Sequence, residues 1–386
     1  MNVVIIGAGN IGFEIAKILP ERDSILLIAR HLPDYLKDFM SDHDNVFFAK
    51  GDATSKEDME NILDSKIIEG FKQINVLICT VGTASRSTPL TDFEGFRQCF
   101  NANYYANLVP LKVFLNCPVI AKDASIIAIS ASSGHHAPKI LLAYSPSKWA
   151  LENTYSSLRE EIKYSKISVD VVPVRTLKNK YSNIWTQDRG DDPEDVAKKI
   201  IKIIKNPNSA RHFIPKRYFL MRLIERLFSG IQDIKYLGFS KGKRKKQYIN
   251  AKINSVLITG AASGLGKELA RCYSKTVKKL YLLDIDWNGL LCIQKELEEN
   301  TNCNVRISKV NIGNSDDIIR YAADINQVDI IINNAAVRYV GNVKEASIEH
   351  FAKNFNINFF GPVLRLSENP LLDFNTHLIE YFGNGI

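Results

Sequence analysis

No apolar run in this chain approaches the roughly 20 residues that a membrane-spanning helix needs. The N-terminus passes at once into Val3-Val4-Ile5-Ile6, without the pattern of a secretory leader. The six cysteines, at 79, 99, 117, 272, 292 and 303, form no CxxC pair and no metal-ligand spacing. They are expected as free thiols in a reducing, cytoplasmic compartment, and no metal is expected. Charge of one sign is only mildly in excess: 50 Lys and Arg against 42 Asp and Glu, a net +8. That excess suits an anionic substrate, cofactor or surface. No base-reading motif accompanies it, so nucleic acid is not an expected partner. The hydrophobic share of 45% and charged share of 24% are those of a soluble globular protein. At 386 residues the chain has room for two domains.

What is present begins with a strand-turn-helix signature. Val3 to Ile6 is a short apolar run of the kind buried on both faces of a sheet. Gly7-Ala8-Gly9-Asn10-Ile11-Gly12 follows, then a helical pattern to Leu19 closed by Pro20. Glycines there let the backbone approach a pyrophosphate, and the helix start offers it N–H groups. The next apolar run, Ile25 to Ala29, ends at Arg30, which suits a 2′-phosphate and points to NADP(H). Gly51-Asp52-Ala53-Thr54 follows a third strand, and Cys79-Thr80-Val81-Gly82 closes a fourth. A helix carries Asn103, and a fifth strand, Ser125 to Ser130, opens into Ala131-Ser132-Ser133-Gly134. Ile167 to Val174 is a sixth. Strands and helices alternating in this way predict a Rossmann-like α/β fold with a doubly wound parallel sheet.

Between the last two strands stands Tyr144-Ser145-Pro146-Ser147-Lys148. An i,i+4 spacing stacks Tyr144 and Lys148 on one helical face. A nearby ammonium is expected to lower the phenol's pKa toward the range useful for proton transfer.

The glycine loop, Asp52, the CTVG turn, Asn103, the serine-rich strand end and Tyr144-x-x-x-Lys148 resemble, in order and spacing, the short-chain dehydrogenase/reductase family. The resemblance implies that Tyr144 exchanges a proton with a substrate oxygen and that Lys148 lowers its pKa and bonds the nicotinamide ribose. It also implies a serine that polarises the carbonyl and an asparagine, here Asn103, that holds a water in the proton relay. Three departures stand out. Ile6 replaces the family's loop threonine, and the loop is one residue shorter. CTVG stands for NNAG. The serine's usual position holds Ala131, leaving Ser132 as the first candidate and Ser130, on the opposite side of a strand, as the next. His135 and His136 either line a substrate mouth or lie in an exposed loop.

After Asp191-Asp192-Pro193, a helix start, comes an amphipathic stretch, Arg217 to Phe228, then a basic run, Lys241 to Lys246. Two readings fit: a lid helix followed by a solvated linker, or an anchor for peripheral membrane contact. The expected domains are residues 1–232, a basic linker 233–252, and residues 253–386.

The third of these repeats the first. Ser255 to Thr259 leads into a second glycine loop with Gly260, Gly264 and Gly266, in the family's ordinary spacing. Tyr281 to Leu283 ends at Asp284, an acid that suits a ribose 2′-OH and hence NAD(H). Asn333-Asn334-Ala335-Ala336 and Asn358 follow, and the matching positions recur at offsets of 253 to 255 residues. Thr376 to Phe382 is its expected last strand, and the counterparts of Tyr144 and Lys148 would fall beyond Ile386. The expectation is therefore an NAD(P)(H)-dependent oxidoreductase in the first copy, moving hydride between nicotinamide and a carbonyl or secondary alcohol, sugar-related substrates among them. The second copy would be incomplete and silent. The alternatives are a dinucleotide-binding scaffold and a reductase docked on a membrane or complex; a homo-oligomer is open in each.

Overall fold

The computed structural model describes residues 1–85, 87–88, 92–135, 141–175, 177, 191–212, 253–323, 325, 328–367 and 377–380. The contacts divide the chain into two units: Met1–Thr88, Glu94–Gly242 and Asn342–Ala346 in one; Pro89–Phe93, Lys243–Gly341 and Ser347–Ile386 in the other. The stretches 217–228 and 241–246, and His136, lie outside the described residues.

In the first unit six strands form one parallel sheet: β1 (Asn2–Ile6), β2 (Ser24–Ala29), β3 (Val46–Lys50), β4 (Ile74–Cys79), β5 (Ile120–Ala131) and β6 (Ser168–Val174), in the order β3-β2-β1-β4-β5-β6. β1 pairs with β2 on one side and β4 on the other, which is why Val3 to Ile6 are apolar without alternation and fully buried. α1 (Asn10–Ile18) lays Ile11, Ile15 and Ala16 on the sheet. α7 (Pro193–Lys205) packs against α1 through Val196, Ala197, Ile200 and Ile204. Its start is capped by Asp192, whose side chain accepts from the Glu194 N–H at 3.0 Å, with Pro193 in the first turn. Between these helices come α2 (Asp34–Ser41), α3 (Lys56–Leu63), α4 (Lys66–Phe71), α5 (Phe93–Leu115) and α6 (Tyr144–Glu161). Pro146 in the first turn of α6 costs no helical hydrogen bond, because N–H groups there have no intrahelical acceptor.

The second unit is a parallel sheet of five strands: β7 (Ser255–Thr259), β8 (Lys279–Asp284), β9 (Asn304–Lys309), β10 (Ile330–Asn333) and β11 (His377–Glu380), in the order β11-β10-β7-β8-β9. β11 falls within the expected last strand and pairs with β10 in register. α8 (Gly264–Ser274) and α9 (Trp287–Asn300) cover the core built on Val256, Ile258, Leu280 and Leu282. Each unit is thus a Rossmann-like α/β fold, as the alternating pattern predicts.

Candidate active site

The order of the first sheet reverses at β1, where the chain runs to β2 on one side and β4 on the other. Crevices at such a switch point, outside the carboxyl ends of the strands, are where open α/β sheets take ligands. A cleft of about 720 Å³ lies there, lined by the glycine loop, Arg30, Asp52 and the turn after β4. Gly7 has φ +106°, a backbone form that L side chains rarely adopt. A Cβ on Gly12 would lie 2.0 Å from the Gly7 carbonyl oxygen, so α1 can meet the strand end only without one. Gly9 is different: a Cβ there would meet nothing within 4 Å, and the residue borders the cleft. Packing does not require glycine at 9, and without a side chain the backbone there stays open to the cleft. Gly9 is also the N-cap of α1, which has no side-chain cap and no acid in its first turn. These features fit a dinucleotide pyrophosphate against Asn10 and Ile11.

Arg30 is exposed at the end of β2 and faces the same cleft. Asp52 uses Oδ1 on the Thr54 N–H and hydroxyl, each at 2.8 Å, which fixes the turn after β3. Tyr35 of α2, not singled out in the sequence, reaches over the loop: its hydroxyl donates to the Ala8 carbonyl at 2.8 Å and its ring packs on Phe13. The only signal would have been an aromatic residue shortly after Arg30.

The turn after β4, Val81-Gly82-Thr83, is held by side chains of α5 and α6. Asn103, fully buried on α5, donates to the Thr83 and Cys99 carbonyls at 2.7 Å and accepts from the Thr83 N–H at 2.9 Å. Asn107, one turn on, donates to the Val81 carbonyl at 3.1 Å and the Asn103 carbonyl at 2.7 Å. Lys148 of α6 donates to Val81 at 3.3 Å and to the Ile129 carbonyl at 3.2 Å. A Cβ on Gly82 would lie 2.8 Å from Asn103 Oδ1 and 2.9 Å from Lys148 Nζ. Glycine there makes room for the lysine.

Tyr144 and Lys148 share the start of α6 as the spacing requires, with Nζ 5.9 Å from the phenol ring centroid. Their electrostatics differ from the sequence expectation. Burial pushes the Tyr144 phenol up, with Cys99 adding to the rise, and Lys148 does not pull it down. The reason is that Nζ is turned to two backbone carbonyls and is itself buried. Burial lowers Lys148 to about 8, against an opposing pull from Glu152. At neutral pH the pair is a neutral phenol beside an ammonium.

The serines separate cleanly. Ser130 Oγ donates to Glu152 Oε1 at 2.7 Å, and Glu152, fully buried, also pairs with Arg211 at 3.0 Å. Ser130 therefore serves the α6–β5 packing. Ala131 pairs with Val174 at the strand end, and Ser132 opens a 3₁₀ turn, Ser132–His135, that packs against α6.

The second unit repeats the glycine geometry. Gly260 has φ +65° and Gly264 φ +52°, and a Cβ on Gly266 would again lie 2.0 Å from a loop carbonyl, that of Gly260. Asn334 donates to the Thr259 and Gly260 carbonyls at 2.9 and 3.1 Å. In the first unit Thr80 does the same work, its hydroxyl donating to the Ile6 and Gly7 carbonyls at 3.0 Å. The CTVG departure thus keeps the bonds that tie the loop to the neighbouring strand. Asn358 grips Val337 as Asn103 grips Thr83, and Ala336 stands in the place of Gly82. Asp284 accepts from the Ala262 and Asp286 N–H groups at 2.9 and 3.0 Å, which sets its carboxylate against the glycine loop.

A family model described as short chain dehydrogenase matches residues 1–187 and 254–369. The chain belongs to the short-chain dehydrogenase/reductase family and carries its fold twice in succession. It is 28% identical over 205 residues to "Dehydrogenase/reductase SDR family protein 7-like" of Dictyostelium discoideum, covering 48% of this chain and 62% of that protein. It is 31% identical over 127 residues to "Dehydrogenase/reductase SDR family member 7B" of Mus musculus, covering 31% of this chain and 39% of that one. The matches thus span under two thirds of these relatives' length. Among solved structures, a short-chain dehydrogenase from Streptomyces avermitilis superposes with a TM-score of 0.52 at 17% identity, covering 61% of this chain and 97% of its own; that likeness concerns the fold.

Proposed function

We propose that the first unit is an NAD(P)(H)-dependent oxidoreductase acting on a small carbonyl compound or secondary alcohol. The observation that carries this reading is the bond from Lys148 Nζ to the Val81 carbonyl, since Val81 and Gly82 line the cavity that begins at the glycine loop. A bound nicotinamide would supply or take the hydride. The chain's own part is binding and proton transfer. Gly7, Gly9 and Gly12 with the start of α1 would hold the pyrophosphate, and Arg30 would pair with a 2′-phosphate, favouring NADP(H). Asp52 and Gly82 border the same cleft. Tyr144 is the proton donor to the substrate oxygen, and its neutral phenol suits reduction. Lys148 keeps positive charge beside it, Asn103 fixes the turn that meets Lys148, and Ser132 polarises the carbonyl. In the second unit, Gly260, Gly264, Gly266 and Asp284 form a loop suited to NAD(H) without a phosphate-pairing arginine at the strand end.

NADPH oxidation measured against a panel of aliphatic, aromatic and sugar-derived carbonyls tests this reading. Carbonyl-dependent oxidation is expected, and its kcat/KM should fall as pH rises through about 8, where Lys148 loses its proton. NADPH binding without oxidation by any carbonyl would favour the alternative, a dinucleotide-binding scaffold. The serines give a second prediction. Ser132→Ala should lower turnover about tenfold or more with the melting temperature unchanged. Ser130→Ala should leave turnover near wild type and lower the melting temperature by a few degrees, because a buried carboxylate loses a hydrogen bond. The reverse ranking would move the polarising role to Ser130.

A further inference from the structure

The turn after β4 is held by one group that proton transfer by Tyr144 and Lys148 does not account for. Asn107 is fully buried on α5. Its Nδ2 donates to two backbone carbonyls, Val81 at 3.1 Å and Asn103 at 2.7 Å. Carbonyls only accept, so this pair of partners fixes which end of the amide is nitrogen. The Val81 oxygen is also the one that Lys148 Nζ meets at 3.3 Å. Two side chains from two helices therefore grip a single oxygen, and their nitrogens lie no farther apart than these two bonds allow. Asn107 Oδ1 is buried and has no hydrogen-bond partner. Buried acceptors are rarely left unpaired, because desolvating them is costly. The amide is thus held by its nitrogen end, on the same carbonyl that Lys148 meets.

We propose that Asn107 is the positioning residue for Lys148, holding the Val81 carbonyl where Nζ meets it. The catalytic meaning of this assignment rests on the reading of Tyr144 and Lys148 given above; its geometry does not. The other ionisable groups facing Lys148 are Tyr144 and Glu152 on α6, Cys99 on α5 and Cys79 on β4. Burial pushes both thiols up, Cys79 to about 12, so they stay neutral near pH 8. Glu152 is shared with Arg211 and Ser130. Asn103 and Asn107 are the neutral amides here; Asn103 holds Thr83, and Asn107, which shares the Val81 carbonyl with Nζ, is the one to truncate or give a charge.

The test is the titration of Lys148 in the full chain, followed by NMR of labelled lysine side chains and assigned by the signal lost in Lys148→Arg. Asn107→Ala releases the Val81 carbonyl that Nζ meets and should move the Lys148 midpoint down by roughly half a pH unit or more; Asn107→Asp adds a negative charge and should move it up by roughly one pH unit. The alkaline limb of kcat/KM should move the same way in each variant. A midpoint unchanged in both variants, whatever their melting temperatures, would make Asn107 a packing residue and overturn the assignment. If Asn107→Ala does not fold, Asn107→Asp decides alone, since it is nearly isosteric and an unmoved or lowered midpoint contradicts the proposal. The titration needs neither cofactor nor substrate. Shifted midpoints in a chain that oxidises no NADPH would sink the oxidoreductase reading alone; unmoved midpoints in an active chain would sink this inference alone.

Discussion

Tyr144→Phe is expected to lower the turnover of carbonyl reduction by about 10²-fold or more, while the affinity for NADPH changes little. The substitution removes one oxygen and leaves the ring, so the packing at the start of α6 is kept. What is lost is the proton that the substrate oxygen must receive as hydride reaches its carbon, and general acid catalysis of this kind contributes roughly 10²–10⁴-fold. A 10²-fold loss corresponds to about 2.7 kcal/mol of transition-state stabilisation. The phenol carries its proton at neutral pH, as a donor must, while burial raises its pKa and works against easy release. Parallel measurement of kcat and of NADPH affinity checks both halves. Turnover like wild type would remove Tyr144 from the mechanism, and a loss of cofactor affinity equal to the loss of turnover would make it a binding residue.

Gly12→Ala should cost the first unit its stability, and Gly9→Ala should not, although both stand in the same loop. The methyl group at 12 would lie 2.0 Å from the Gly7 carbonyl oxygen. That neighbour is backbone in a φ +106° turn packed on Thr80 and Val81, and it cannot swing aside. Overpacking of this kind costs about 3 kcal/mol at the upper end of its usual range. For a unit of this size that is a fall of roughly 10 °C in the first unit's melting temperature. At 9 the added methyl meets nothing within 4 Å in the protein. Gly9→Ala should melt like wild type and bind NADPH at least about tenfold more weakly, since only the ligand's close approach needs the glycine. Thermal melts and NADPH titrations of the two variants make the comparison. Equal melting temperatures in both would mean the α1–strand contact is looser than the geometry shows.

The contrast between Gly9 and Gly12 also shows how far the sequence could be read. The GxGxxG spelling marks both residues, and its place between an apolar run and a helix predicts the turn. It does not say which glycine serves packing and which leaves space, because that depends on where Gly7, Thr80 and the cleft lie in three dimensions. The parallel sheets were legible for a simple reason: strands such as Val3 to Ile6 and Val256 to Ile258 are buried on both faces, and continuous apolar runs of that length have few other homes. The substitution of Thr80 for Asn334 read as a departure from the family, yet the hydroxyl's single proton reaches the same pair of loop carbonyls that the amide's two protons do. Asn107 carried no signal at all, since its importance comes from one carbonyl that it shares with a residue 41 positions away. The effect of Lys148 on Tyr144 was expected from spacing alone. Burial, which spacing does not reveal, reverses the direction of the phenol's shift.

The proposed function requires that the cleft of the first unit hold a nicotinamide dinucleotide, with Arg30 facing its ribose. Calorimetric titration of NADPH and NADH into the full chain, alongside Arg30→Asp, tests it most directly. The tighter binding event should be with NADPH. In Arg30→Asp that preference should weaken or reverse, because a carboxylate repels the 2′-phosphate that the guanidinium pairs with. If neither dinucleotide binds, or if NADH binds more tightly than NADPH to the unaltered first unit and Arg30→Asp changes neither affinity, the account is wrong.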